Sequence, residues 1–252
     1  MSENNFITAA VVTYNDAETA VNAIKSIKSN TKKYPVKTFV IDNASKTDLP
    51  QLEKITDVYI KNTKNLGFGS AHNKVLEHKI GKYHAVINPD ITLDGDVLSF
   101  LADVLEANPD ICMITPKILN YDGTEQKLPK QNPNYKYIFL GRLAKLGGIF
   151  KKVRNEYIMA DHNFDDITDI NFCTGCFFMI RGDVFKKLGG FDHRYFMYME
   201  DADLTRMAKK YGRTVFCPDV SVTHLWERGS AKSIKLLFIH LKSFFKYAGK
   251  WK

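Results

Sequence analysis

Residues 83–97 read YHAVINPDITLDGDV, and this stretch decides how the rest of the chain is interpreted. The short apolar run 85–87 has the composition of a buried strand. Asn88, Pro89 and Asp90 follow directly, so the strand ends in an amide, a proline and an acid. Such residues are common in turns, yet Mg²⁺ is often held by one or two carboxylates plus substrate phosphates. The tripeptide alone leaves both interpretations open.

Strands and helices alternate on both sides of this stretch. The alternation predicts an α/β fold with a mostly parallel sheet and helices on both faces. Ligands of such sheets bind beyond the carboxyl ends of the strands, where residues 13–15, 42–43 and 88–90 supply polar side chains. The predicted strands are residues 6–12, 36–41, 58–60, 85–87, 111–115, 176–180, 214–216 and 221–223. The predicted helices are residues 17–28, 49–55, 71–78, 97–106, 182–188 and 203–211.

The composition predicts a folded domain rather than a solvated coil. The chain has 252 residues, of which 44% are hydrophobic and 12% aromatic, and this suits one sizeable domain. Four cysteines are too few for a disulfide scaffold. The first residues lack a signal-peptide pattern and no run has the length of a membrane span, so we expect a cytoplasmic, reduced protein. Residues 120–170 show no regular apolar spacing and are interrupted by Gly123, Pro129, Pro133, Gly141 and Gly147–Gly148, so they predict a long, partly mobile loop region.

The net charge of +8 is concentrated near the carboxyl terminus. Residues 228–252 contain seven Lys and Arg and no acid. A nucleic-acid-binding domain usually spreads its basic surface more widely, so we expect no nucleic-acid partner. The terminal segment is interpreted separately below.

A second acidic cluster follows the turn Gly189–Asp192. Asp201 and Asp203 suit the first turn of a helix, where acids interact well with the helix dipole. Glu200 and Asp201 also follow the apolar residues 196–199, and desolvation there would raise a carboxyl pKa and favour general-base work. The residues themselves favour neither interpretation.

Two further motifs are weaker. Gly67 and Gly69 precede a predicted helix and could approach a phosphate, although a plain strand-to-helix turn is the default. Cys173 and Cys176 have the spacing of half a redox or metal site. No second such pair exists in the chain, and buried structural thiols are common, so we interpret them as structural.

Taken in order, these segments resemble the GT-A-type glycosyltransferases of family 2, particularly their bacterial rhamnosyltransferase-like branch. The resemblance extends over nearly the whole chain and is weakest across residues 120–170. It implies the GT-A, Rossmann-like fold. The matching segments are residues 11–15 (VVTYN), 40–45 (VIDNAS), 65–69 with Asn73 (NLGFG), 88–90 (NPD), 189–192 (GGFD), 200–203 (EDAD), and His224 followed by Gly229–Ser230 and Lys232–Ser233.

The resemblance implies a role for each matching position. Asp90 would be the metal-contacting acid of the family's Asp-x-Asp motif, whose first Asp is replaced by Asn88, as is usual in this branch. Asp201 would be the catalytic base with Glu200 beside it, and His224 a further metal or diphosphate ligand. The implied donor-binding residues are Thr13, Tyr14, Asn15, Asp42, Asn43, Asn65, Gly67, Phe68, Gly69, Asn73, Asn88 and Asp90.

The implied activity is an inverting, Mg²⁺- or Mn²⁺-assisted glycosyl transfer that builds a bacterial surface polysaccharide. The resemblance favours dTDP-L-rhamnose as the donor and a lipid-linked or growing glycan as the acceptor. A UDP-hexose donor is the nearest rival, and a nucleotide-sugar binder without turnover is the competing class. A dinucleotide-dependent oxidoreductase is disfavoured because no Gly-x-Gly-x-x-Gly follows the first strand.

We expect a GT-A domain over residues 1–230 and a basic amphipathic helix over residues 231–252. The domain would comprise a nucleotide-sugar half (1–115) and an acceptor half (116–230). The helix could pack on the domain or lie on anionic lipid at the inner face of the cell membrane, and the protein could form oligomers. Its predicted apolar side contains Ile234, Leu237, Phe238, Leu241, Phe244, Phe245, Ala248 and Trp251. Its predicted basic side contains Lys232, Lys235, Lys242, Lys246 and Lys250.

Overall fold

A nine-stranded sheet lies at the centre of the computed structural model, which describes residues 5–127, 130–225 and 233–252. The sheet order is β3-β2-β1-β4-β8-β6-β9-β5, and β7 pairs with β9 beside this path. Among the described residues, no helix is long and apolar enough to cross a bilayer. The strands are β1 (Ile7–Thr13), β2 (Val36–Asp42), β3 (Val58–Lys61), β4 (Tyr83–Ile87), β5 (Ile91–Leu93), β6 (Ile111–Leu119), β7 (Thr168–Asp169), β8 (Phe177–Arg181) and β9 (Arg213–His224).

Helices pack on both faces of this sheet, and the first and fourth of them begin with a side-chain cap. Asp16 accepts a hydrogen bond from the Thr19 N–H before the first helix, and Asp96 accepts one from the Ser99 N–H before the fourth. Such caps satisfy amide groups that have no partner inside the helix. The helices are α1 (Ala17–Asn30), α2 (Pro50–Ile55), α3 (Phe68–His72), α4 (Val97–Ala107), α5 (Gly148–Tyr157), α6 (Gly182–Leu188), α7 (Glu200–Ala208) and α8 (Ile234–Lys250).

The strand pairing brings four segments to one edge of the sheet. β1 runs parallel to both β2 and β4, so Thr13 lies beside Asp42, and Ile87 ends two residues before the end of β1. β8 is antiparallel to β4, and its first residue, Phe177, pairs with Ile87. The residues before β8 therefore meet the carboxyl ends of the parallel strands.

The two faces of the sheet are covered by separate apolar clusters. α1, α2 and α4 pack on one face, around buried residues such as Ile24 and Leu101. α3, α6 and α7 pack on the other, around residues such as Phe185 and Leu204. All four cysteines are buried and free. Burial raises the pKa of the Cys176 thiol to about 11, which agrees with the interpretation of these residues as structural thiols.

The prediction of a loop region across residues 120–170 is wrong for its centre. A π-helical turn (Lys136–Leu140) and a 3₁₀ helix (Gly141–Leu146) precede α5. Ile138, Val153 and Tyr157 are buried within this stretch. The interposed glycines, two of which have positive φ at positions 147 and 148, break the apolar period that would otherwise have indicated helices.

Other boundaries differ from the prediction in ways that matter for the site. The two strands predicted near residues 214–223 form one strand, β9, whose pairing with β6 has a register shift. β5 was not predicted and pairs with the end of β9. α7 begins at Glu200 rather than Asp203, because a terminal turn made of acids has no apolar period to reveal it.

The predicted two-sided pattern of the terminal helix is only partly correct. Phe244 and Tyr247 are buried in a third cluster with Ile138 and Met199, so this side of α8 packs on the domain. Ile234 is 75% exposed although it belongs to the same predicted side. The predicted boundary at residues 230–231, the Gly229–Ser230 match and Lys232 lie outside the described residues.

Lys250 does not lie on an outward basic side as predicted. Its Nζ donates hydrogen bonds to Asp203 Oδ2 at 2.6 Å and Asp192 Oδ2 at 2.9 Å. Trp251 Nε1 donates to the other oxygen of Asp203 at 2.6 Å. Asp203 is fully buried, and a buried charge requires such partners, so the last turn of α8 faces the domain.

Candidate active site

The carboxyl ends of β1 and β2 form a polar edge. Asp42 is buried, and it accepts hydrogen bonds from the Ser45 N–H at 2.8 Å and from the Tyr59 hydroxyl at 3.1 Å. Thr13 is buried beside it. Tyr14 is 49% exposed, so its ring is accessible to a ligand at this edge. Asp42 shapes the loop, while Tyr14 faces outward.

Asn15 connects this loop to the end of β1. Its backbone has a left-handed φ of 59°, which asparagine tolerates better than most residues. Its N–H donates to Ser45 Oγ at 2.9 Å, and its Oδ1 accepts from the Lys46 N–H at 2.8 Å. The side chain of Asn15 thus orders the loop that follows β2.

The side chain of Asn43 makes hydrogen bonds to the neighbouring loop of residues 65–69, here named the glycine loop. Its Nδ2 donates to Asn65 Oδ1 at 3.0 Å and to the Gly67 carbonyl at 3.1 Å. Its Oδ1 accepts from the Leu66 N–H at 2.9 Å and from Asn62 Nδ2 at 3.1 Å. Asn43 and Asn65 therefore act on the shape of the loop.

The glycine loop packs against the segment that precedes α7. The Phe68 N–H donates to the Phe196 carbonyl at 2.9 Å. Gly67 has a φ of +83°, and a Cβ there would lie 1.9 Å from the Phe196 oxygen. A Cβ on Gly69 would lie 2.7 Å from Phe191 Cβ. Both glycines are needed for close approach of two loops.

Asn73 fixes the turn at Gly190 and Phe191. Its Nδ2 donates to the Phe191 carbonyl at 2.7 Å, and its Oδ1 accepts from the Phe191 N–H at 2.8 Å. A Cβ on Gly190, whose φ is +75°, would lie 2.2 Å from Asn73 Oδ1. The side chain of Asn73 is thus used to position this turn, and its predicted contact with a donor stays a prediction.

Asp90 and His224 meet where β5 begins and β9 ends. His224 Nε2 lies 3.3 Å from Asp90 Oδ1, and the two side chains are 5% and 24% exposed. The imidazole is oriented from its other nitrogen, because Nδ1 lies 3.0 Å from Gln126 Oε1. Asn88 is held by a backbone hydrogen bond of 2.8 Å to the Cys176 carbonyl.

A cleft of about 770 Å³ opens beside this pair. Its walls come from the start of α1, the strand end that carries Asp90, the loop after β6 and the end of β9. This volume suits a nucleotide-sized ligand. The side chains around it include Asp16, Thr19, Asp90, Tyr121, Asp122 and His224.

Asp201 and Glu200 lie in the first turn of α7 in unequal environments. Asp201 Oδ2 accepts from the Gly175 N–H and Oδ1 from the Ala202 N–H, both at 2.9 Å. Burial raises the pKa of Asp201, and the Gly175 N–H and the charge of Lys130 oppose this. Burial, and then the charge of Asp201, raise the pKa of Glu200 to about 8. The pair suits proton transfer near neutral pH.

The backbone before this pair is strained. Tyr198 and Met199 both have a φ of 69°, a left-handed conformation that is costly for residues with a large side chain. Consecutive residues of this kind persist only where the surrounding structure holds them. Met199 is buried in the cluster formed with α8, which supplies that restraint.

Gly175 and Cys176 connect the two acids predicted to work together. Gly175 donates to Asp201, while the next residue, Cys176, accepts from the N–H of Asn88. The charges of both Asp90 and Asp201 act on the pKa of the Cys176 thiol. The strand-end acid and the helix-start acid therefore lie on the same side of the molecule, on either side of one short turn.

Three residues near this site were not predicted. Gln126 orients His224, Gly175 holds Asp201, and Lys130 is close enough for its charge to act on Asp201. Burial lowers the pKa of Lys130, and its Nζ lies 5.0 Å from the centre of the Phe172 ring. The sequence carries no signal for Gln126 or Lys130, whereas the glycine between two buried cysteines could have indicated a close backbone approach.

The possible metal ligands Asp90 and His224 allow a divalent cation to bind but do not enclose one. Asp90 Oδ1 is buried and accepts no aligned hydrogen bond among the described residues, although His224 Nε2 lies 3.3 Å from it. A carboxylate oxygen in that state fits a hard cation. No group of three His, Cys, Asp or Glu that could hold a metal occurs in the described ranges. Asp90 and His224 would thus supply a partial site, which substrate phosphates would complete.

The sequence matches a known family and several curated proteins. Residues 8–189 match the family described as glycosyl transferase family 2. The chain is 28% identical, over 84% of its length and 74% of the relative, to N-acetylglucosaminyl-diphospho-decaprenol L-rhamnosyltransferase of Mycobacterium tuberculosis. It is 27% identical, over 72% of its length and 69% of the relative, to rhamnosyltransferase WbbL of Escherichia coli.

Solved structures share the fold. A mannosyltransferase from Pyrobaculum calidifontis, in complex with GDP-Man and Mn²⁺, matches 99% of the chain with a TM-score of 0.63 and 17% identity. GalNAc-T7, with UDP, GalNAc and Mn²⁺, matches 97% with a TM-score of 0.69 and 14% identity. The chain spans 65% and 48% of these two proteins. The predicted GT-A architecture is confirmed.

Proposed function

Because this chain belongs to glycosyl transferase family 2, we propose that it transfers a sugar from a nucleotide donor to a hydroxyl group with inversion at the anomeric carbon. One observation supports this most directly. Gly175 donates a hydrogen bond to Asp201 at the start of α7, and the next residue, Cys176, accepts one from Asn88, two residues before Asp90. An acid facing the leaving diphosphate and an acid facing the incoming alcohol are the two groups that a single displacement requires.

Asp201 is the proposed general base. It takes the proton of the acceptor hydroxyl as that oxygen attacks the anomeric carbon from the face opposite the leaving diphosphate. Its two backbone hydrogen bonds hold the carboxylate in place. Burial raises the pKa of Asp201, and burial and then the charge of Asp201 raise the pKa of Glu200; a base working near neutral pH requires such a raised pKa.

Asp90, with His224, is the proposed contact to the diphosphate and its cation. When bound, Mg²⁺ or Mn²⁺ would stabilise the negative charge that builds on the leaving oxygen. Asn88 would contact the sugar, and the edge formed by Thr13, Tyr14 and Asp42 would hold the nucleoside. The glycine loop would position this edge through Asn43 and Asn65.

dTDP-L-rhamnose is the proposed donor and a lipid-linked or growing glycan the proposed acceptor. The names of the M. tuberculosis and E. coli relatives support the sugar, and the first of these names also describes an acceptor joined to decaprenol through a diphosphate. An acceptor of this kind supports our proposal that the reaction takes place at the inner face of the cell membrane. A UDP-hexose remains the alternative donor, because no described residue of the site distinguishes a deoxysugar from a hexose that carries the additional hydroxyl.

The experiment compares Asp201→Asn with Asp183→Asn, an exposed acid of α6 that serves as the matched control. Nucleoside diphosphate release is measured with dTDP-L-rhamnose, UDP-glucose and GDP-mannose, with Mg²⁺, with Mn²⁺ and with EDTA. Asp201→Asn is expected to lower turnover about 10²–10⁴-fold while the donor-induced rise in melting temperature persists. Equal turnover in the two variants would contradict the role of Asp201, and a donor panel without any thermal shift would contradict the donor class.

A further inference from the structure

Two segments that are far apart in the sequence carry the whole positive charge of the protein. Residues 136–155 and 233–252 contain 11 of the 36 Lys and Arg and none of the 28 Asp and Glu. They therefore sum to +11, and the other residues sum to −3. Lys136 and Lys250 pair with acids elsewhere, which still leaves nine cations on the two segments.

The fold brings these segments together. Tyr135, just before the first segment, packs its ring 5.1 Å from that of Phe244 in α8. The ring of Phe139 lies 6.4 Å from that of Phe245, and an Arg142 nitrogen lies 2.8 Å from His240 Nδ1. Tyr135, Phe139 and Arg142 thus join their segment to α8, and we name residues 135–149 together with the outer side of α8 the basic apolar face.

Large apolar side chains are exposed on this face. Nine of the fifteen large exposed hydrophobic side chains of the described residues belong to it, and a concentration of this kind marks an interaction site. The most exposed are Ile234 at 75%, Leu146 at 71%, Phe238 at 68% and Ile149 at 67%. The others are Tyr135, Phe139, Leu140, Leu143 and Phe245.

We propose that the basic apolar face docks on the surface of an anionic lipid bilayer. Charge complementarity selects this partner, because residues 136–155 and 233–252 contain 11 Lys and Arg and no acid. Lipid headgroups would meet the lysines, and the leucine, isoleucine and phenylalanine side chains would enter the boundary of the acyl chains. A second copy of the chain fits poorly, since a symmetric contact would place like charges against each other.

This inference deepens the proposed function and rests on it for the choice of a membrane reaction. It differs from an isolated lipid-binding helix, because Phe244 and Tyr247 are buried against the domain and residues 135–149 supply six of the nine large exposed apolar side chains of the face. The inner side of α8 also holds Asp203, two residues beyond Asp201. Docking would therefore bring the proposed base close to acceptors embedded in the bilayer.

The experiment is sedimentation of the full chain with vesicles of phosphatidylcholine alone and with added phosphatidylglycerol. We expect binding to the anionic vesicles only, and loss of binding at high salt. The pairs Leu146→Glu with Ile149→Glu and Ile234→Glu with Phe238→Glu should each lower partitioning at least tenfold. Lys235→Gln with Lys242→Gln should lower it about fivefold per lysine.

Tyr211→Glu is the matched control, because Tyr211 is 46% exposed and lies outside the face. It should bind as the parent does, and every variant should keep the melting temperature and the donor turnover of the parent. Failure of the full chain to bind, or equal binding by either glutamate pair, would overturn the proposal. So would a dimer that Ile149→Glu converts to a monomer. Turnover reports separately on the proposed function, so the two proposals can fail independently.

Discussion

The backbone N–H of Gly175 donates a hydrogen bond of 2.9 Å to Oδ2 of Asp201. This contact makes the two acids at the start of α7 unequal. Both carboxylate oxygens of Asp201 accept a backbone hydrogen bond, whereas Oε2 of the buried Glu200 accepts none within the part of the chain that the structure describes. Backbone hydrogen bonds from Glu200 and Tyr198 offset only part of the rise that burial causes in the pKa of Glu200. A proton shared by the pair therefore resides mainly on Glu200, and Asp201 is the group available as a base.

Replacing Glu200 with glutamine should change the pH dependence of turnover. Burial, and then the charge of Asp201, raise the pKa of Glu200 to about 8, so Glu200 is neutral at lower pH and glutamine mimics that state. A change of kcat/KM near pH 8 in the parent should therefore be lost in Glu200→Gln, while the acidic limb set by Asp201 stays in place. The measurement is kcat/KM from pH 5 to 9 for the parent and Glu200→Gln. An unchanged profile with reduced kcat would instead indicate a purely structural role.

Because the glycine loop lies close to Phe196, alanine should lower the free energy of unfolding more at Gly67 than at Gly123. Gly67 and Gly123 have φ values of +83° and +79°, so alanine is strained at both. A Cβ meets the Phe196 oxygen at 1.9 Å from position 67, whereas nothing lies within 4 Å of one at position 123. Gly67→Ala should therefore cost about 1–3 kcal/mol more than Gly123→Ala, measured by urea unfolding. Equal free energies of unfolding would contradict the described packing.

The contact between Lys250 and Asp203 predicts a large loss of stability in Lys250→Met. Asp203 is fully buried, and removing one partner of a buried pair costs about 3–5 kcal/mol. Its bond to Trp251 remains, so we expect the lower end of that range. Lys235→Met, at an exposed position of the same helix, should change the free energy of unfolding by less than about 0.5 kcal/mol. Adding Asp203→Asn to Lys250→Met should restore part of the loss.

Two buried histidines predict acid sensitivity. Burial lowers the pKa of His84 to about 3 and that of His72 well below its usual value. The unfolded chain therefore binds more protons below pH 6.5, and the stability present above that pH is lost as pH falls. Each imidazole should contribute about 1.4 kcal/mol per pH unit in this window.

The measurement is urea unfolding of the parent, His84→Leu and the exposed His193→Leu at pH 7.5 and 5.5. The quantity compared is the slope of the free energy of unfolding against pH, because the contributions of the other titrating groups are shared by all three proteins. Glu200 is one of these groups, and its raised pKa makes stability fall as pH rises. His84→Leu should lose part of the pH dependence, and His193→Leu should keep it. A slope in His84→Leu equal to that of the parent would contradict the assignment.

Much of the fold could be predicted because short stretches of sequence indicate where its strands end and its helices begin. Apolar runs followed by Asp42 and by Asn88–Asp90 indicate where buried strands end, and parallel pairing then requires those ends to meet at one edge. Asp201 was singled out through the resemblance to family 2 glycosyltransferases, because the acids after the apolar segment 196–199 favoured neither interpretation by themselves. The helices within residues 136–157 were missed, because glycines interrupt their period.

The sequence by itself determined the alternation of the longer strands and helices and the polar residues at the strand ends, since each depends on a few neighbouring residues. Only the tertiary structure decided that β8 inserts beside β4, so that Gly175 reaches Asp201, and that Asn43 and Asn73 are engaged within loops. It also decided which side of α8 is buried and that residues 135–149 join the exposed side. The physical reason is that contacts between distant segments depend on pairing and close packing, which no single stretch of the chain encodes.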